Sequence, residues 1–76
     1  MIHAADTIAI RMCRILSDAG CDVRAYLMKR GDWTIVASVG DRQVGFGFCV
    51  STADLLTNPN AFADYHAIKM CRDLGQ

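Results

Sequence analysis

Charge of a single sign is what this chain lacks first: eight basic residues balance eight acidic ones, and no extended run of like charge occurs in its 76 positions. That balance excludes the concentrated positive field by which nucleic-acid binders find phosphate, and equally the acidic surface of a DNA mimic. No apolar run approaches the length of a membrane span, and Met1-Ile2-His3-Ala4-Ala5-Asp6 has neither a basic nor an apolar leader region. A cytoplasmic protein without a membrane partner is expected. Paired cysteine spacing is missing too. Cys13, Cys21, Cys49 and Cys71 each lie within or beside an apolar stretch with no Cys-x-x-Cys, and His3 and His66 are far from finger-like spacing. Reduced, buried thiols and no metal or other cofactor are therefore expected.

Catalytic constellations are also lacking. No nucleophile elbow, helix-borne His-Glu pair or pair of carboxylates in a glycine-bounded cleft is present, and a domain this small has little room to enclose a pocket. The chain is not expected to be an enzyme. Gly45-Phe46-Gly47-Phe48 has the glycines of a phosphate loop, but they lie inside a strand rather than between a strand and a helix. Arg30-Gly31-Asp32 spells an adhesion tripeptide and reads as a hairpin turn.

What is present is periodicity. Three β-type runs, Cys21 to Lys29, Trp33 to Val39 and Arg42 to Val50, are flanked on each side by a helical pattern. The order is α-β-β-β-α, a single α+β domain over residues 1–76 with a three-stranded antiparallel meander and two helices on one face. The first helix should begin after Ala4 or Asp6 and end at Gly20. Ala5, Ile8, Met12, Ile15, Leu16 and Ala19 share one side of it, while Ile10 falls on the outer side, as a scattered apolar residue or a contact point.

Period-two alternation places Val23, Ala25 and Leu27, then Trp33, Ile35, Ala37 and Val39, then Val44, Phe46, Phe48 and Val50 on the helix-covered face. Lys29–Asp32 and Gly40-Asp41 are the expected turns. On the other face Gly45 and Gly47 leave a strip without side chains, either packing room for a neighbour such as Tyr26 or a flat site for a partner backbone. Ser51-Thr52-Ala53-Asp54 resembles a capping box for a short helical turn through Leu56, and Asn58-Pro59 starts the last helix, which runs to about Leu74.

The last helix has two arcs. Ala63, Ala67, Ile68, Met70, Cys71 and Leu74 form the apolar one, expected beside the first helix. Phe62, Tyr65, His66, Lys69, Arg72 and Asp73 form the other. Aromatic and arginine side chains dominate binding hot spots, so Phe62, Tyr65, His66, Lys69 and Arg72 are the candidate partner-binding residues, with Gly45 and Gly47 as the rival surface. Phe62 and Tyr65 could instead cover the turn at Leu55 and Leu56.

The element order resembles that of the double-stranded-RNA-binding domain. That family grips phosphate with lysines where the last helix begins, whereas this chain has Pro59-Asn60-Ala61-Phe62-Ala63-Asp64 there. The resemblance implies the architecture and no binding residues. In size and lack of motif the chain also resembles the short cofactor-free proteins that phages and other mobile elements encode against host machinery, such as anti-CRISPR proteins. That resemblance implies a non-enzymatic inhibitor that docks on a protein surface, for example a host defence complex. A dsRBD-like nucleic-acid module and a homodimeric structural or adaptor protein are the alternatives.

Overall fold

The computed structural model describes residues 3–76; Met1 and Ile2, the start of the segment read for a leader, lie outside the described residues. Helix α1 (Ala4–Asp18) is followed by strands β1 (Asp22–Leu27), β2 (Trp33–Val39) and β3 (Arg42–Phe48), a short helix α2 (Val50–Asp54) and helix α3 (Pro59–Asp73). The sheet order is β1-β2-β3 and both pairings are antiparallel, so the α-β-β-β-α meander read from the sequence is the observed fold.

α1 contains neither glycine nor proline, and its buried residues Ala5, Ile8, Ala9, Met12 and Leu16 recur at helical spacing. It stops where Gly20 takes φ +92°, a conformation that opposes a Cβ. There the Gly20 N–H donates to the Ser17 carbonyl and the Cys21 N–H to that of Leu16, a Schellman cap that satisfies the last carbonyls. Gly75 and Gln76 repeat the same two bonds at the end of α3.

α1 and α3 pack side by side, α1 over β1 and β2 and α3 over β3. Ile8, Met12, Leu16 and Ile35 are the largest fully buried side chains, and Ala63 and Ala67 let the two helices approach closely. Each large residue buried here contributes about 1.5–3 kcal/mol. On the outside, Arg11 of α1 clamps Asp64 of α3, its Nε and Nη2 donating to the two carboxylate oxygens. That pair spans 53 residues of sequence and no local pattern announces it.

Four local expectations need correction. β3 ends at Phe48 and Val50 opens α2, because an apolar residue that starts a helix prolongs a strand's alternation by one step. The Ser51 capping box does not form: α2 is preceded by Cys49, without a side-chain cap. Ala19 is exposed rather than on the buried side of α1. Ala25 and Leu27 are exposed although they share the helix-covered face with half-buried Val23, since the helices do not reach that end of β1.

Candidate functional site

α3 begins as its sequence dictates. The Asn58 side chain accepts from the Ala61 N–H at 3.0 Å, and Pro59 occupies the first turn, where its missing N–H removes no helical bond. This start fixes the phase of every side chain that follows.

The phase divides the candidate residues between two surfaces. Phe62 and His66 turn toward β3. The His66 ring stacks on Phe46 with centroids 4.2 Å apart, and Phe62 meets Phe46 at 5.9 Å and Phe48 edge-on at 6.3 Å. These four rings close the β3 side of the core, so Phe62 and His66 are half-buried rather than outward-facing. Phe62 thus covers β3. Burial, followed by the nearby Lys69 charge, lowers the His66 pKa below its ordinary value of 6.5.

Tyr65, Lys69 and Arg72 remain on the outside, and Ile68 joins them. Ile68 belongs by periodicity to the apolar arc, yet it is 52% exposed. Tyr65 is 64% exposed. Together Tyr65, Ile68, Lys69 and Arg72 line a shallow hollow of about 170 Å³ on the solvent side of α3. An aromatic and a branched aliphatic group beside two long cations can bury apolar area while the charged tips reach a partner's acids.

Gly45 and Gly47 lie on the opposite, helix-free face of the sheet. A Cβ on Gly45 would stand 3.9 Å from the Ile35 carbonyl oxygen, and one on Gly47 would stand 3.6 Å from that of Trp33. Both are ordinary contacts, and no Tyr26 atom lies within 4 Å of either position, so the glycines do not make packing room for Tyr26. They leave a flat strip beside Thr34 and Val36.

A further groove, of about 370 Å³, opens between α1 and the start of α3, lined by Thr7, Ile10, Arg11, Arg14, Ile15 and Asn60 together with Asp18. Its walls come from helices far apart in sequence, so no local pattern announces it beyond the exposed Ile10.

The four cysteines are unbridged. Cys21 and Cys71 are buried and Cys13 half-buried, whereas Cys49 is exposed, contrary to its apolar neighbourhood in the sequence. Burial pushes the Cys13 thiol up and, with Cys21 alongside, that of Cys71. Among the described residues no three histidine, cysteine or acidic side chains gather as metal ligands, and no helix is long and apolar enough to cross a membrane. No protein-family model matches the chain, and comparison with curated proteins and with solved structures returned no significant match.

Proposed function

We propose that this chain is a non-enzymatic protein-binding module whose working surface is the outer side of α3. The observation that carries the reading is that exposed Tyr65 and Ile68 share one hollow on α3 with Lys69 and Arg72. Such a patch suits a protein partner that offers an apolar residue ringed by carboxylates, because the ring faces can be desolvated while the charges pair at the rim. Small size, absence of net charge and lack of a catalytic cluster fit an inhibitor that blocks a larger assembly by docking, as anti-CRISPR proteins do with host defence complexes. Phe62 and His66 serve this surface indirectly, by anchoring α3 on β3.

A dsRBD-like reading has no comparable support. The first turn of α3 holds Asn60, Ala61 and Phe62 instead of lysines, and the nearby Asp64 is engaged with Arg11.

The test compares Tyr65→Ala and Arg72→Glu with Gly47→Arg on the sheet face, each checked by circular dichroism before binding is measured against the partner recovered by pull-down. Tyr65→Ala should weaken binding by about 2 kcal/mol with little change in fold. Loss of binding in Gly47→Arg alone, with both α3 variants fully active, would move the working surface to the sheet.

A further inference from the structure

We propose that two copies of this chain pair along the free edge of β1, joining their sheets into one continuous six-stranded sheet about a two-fold axis at Ala25. The proposal concerns an edge remote from the α3 surface argued above and goes beyond it.

The backbone supplies the first reason. In the β1-β2 hairpin the Met28 N–H donates to the Asp32 carbonyl at 2.8 Å, so the next pair, Leu27 with Trp33, is non-hydrogen-bonded, and the pairs alternate from there. Val23, Ala25 and Leu27 therefore aim their N–H and C=O groups away from β2, at the open edge. The β2-β3 hairpin gives the same answer independently. Its two-residue turn has Gly40 at φ +61° and closes on Val39 with Arg42, a hydrogen-bonded pair, which assigns Trp33, Ile35 and Ala37 to β3 and leaves Thr34, Val36 and Ser38 for β1.

Self-complementarity supplies the second. An antiparallel second β1 with Ala25 opposite Ala25 places Val23 opposite Leu27, so all three outward residues meet outward residues in hydrogen-bonded pairs. Exposed apolar surface is covered in the same step: Leu27 is 61% exposed and Ala25 exposed on the face that the chain's own helices fail to reach.

Charge decides for a second copy as the occupant. β1 starts with Asp22 and is followed by Lys29 and Arg30, so reversing one strand against the other brings the acidic end of each to the basic end of its mate. Between them Arg24 falls opposite Tyr26, a cation over an aromatic ring on the helix-free face. The β3 edge has no such need. Its helix-facing residues Val44, Phe46 and Phe48 are half-buried or buried, and His66, Lys69 and Asp73 of α3 already border it.

Sedimentation velocity and light scattering on the whole chain test this. At concentrations up to about 200 μM the mass should approach twice the 8.3 kDa of one chain. Leu27→Lys, at an already exposed position, and Ala25→Pro, which removes an edge N–H, should each raise the dissociation constant roughly tenfold or more. Asp22→Lys should weaken pairing, and adding Lys29→Asp and Arg30→Asp should restore it, a rescue that a folding defect would not give. Gly45→Lys on the β3 edge should leave the mass doubled. A single-chain mass for the unaltered protein at the highest concentration would overturn the proposal, as would a doubled mass in both β1 variants or dissociation caused by Gly45→Lys alone.

Discussion

His66 shows how one residue can be legible in kind and misplaced in space. The sequence puts it among polar neighbours on the outer arc of the last helix, but a helical wheel has no information about how far β3 extends beneath that helix. Phe46 reaches up and stacks on it. The consequence can be measured. Burial lowers the folded-state pKa of His66 below 6.5, so the unfolded chain binds the proton more readily at mildly acidic pH. Stability contributed by the neutral ring is complete above pH 6.5 and is lost as pH falls from there through the lower folded-state value. Asp64 acts in a separate window: Arg11 holds its carboxyl below the ordinary 3.8, so its contribution persists to more acidic pH. The melting temperature should therefore fall as the pH is lowered from about 6.5. In His66→Phe, which keeps an aromatic ring against Phe46 but cannot titrate, most of that fall should vanish; an unchanged fall would place its origin elsewhere.

Element boundaries were readable wherever a side chain or a glycine makes the boundary, and misread where packing makes it. Asn58-Pro59 and Gly20 signal helix ends through local chemistry, and both ends lie where that chemistry puts them. Ser51-Thr52-Ala53-Asp54 carries a similar signal, yet α2 starts ahead of it, with buried Ala53 tying this short helix to the core. Val50 instead packs against the β1-β2 turn, its Cγ2 standing 3.3 Å from where a Cβ on Gly31 would sit. Tertiary contact thus overrode the cap. Asn58→Ala should cost about 1 kcal/mol, because the Ala61 N–H loses its acceptor and the α3 start that orients Phe62 and Tyr65 is loosened. Ser51→Ala, at an exposed position without a capping bond, should stay within about 0.5 kcal/mol of the parent. Chemical denaturation of the two variants side by side checks both. Equal losses would mean that Ser51 caps α2 after all.

Scale changes what alternation means. Within a strand, Val23, Ala25 and Leu27 read as one buried row, and the same rule is right for Ile35, Ala37 and Phe48. It fails for Ala25 and Leu27 because burial is a property of what lies above the sheet: α1 and α3 close on each other and cover β2, β3 and the start of β1, leaving the far end of β1 open. No single-chain reading of the sequence contains that shortfall. If a second copy supplies the missing cover, folding and association are linked, and the melting temperature must rise with protein concentration. At about 0.7 kcal/mol of unfolding enthalpy per residue, a chain of this length melting as a dimer should gain roughly 5–10 °C for a hundredfold rise in concentration. Leu27→Lys should melt at a temperature independent of concentration, near that of the unaltered chain at its most dilute, since the position is exposed in the single chain. Calorimetry over that range reads the slope directly. A flat line for the unaltered chain would mean that the open end of β1 stays in water, with the core carried by Ile8, Met12, Leu16 and Ile35 within each chain.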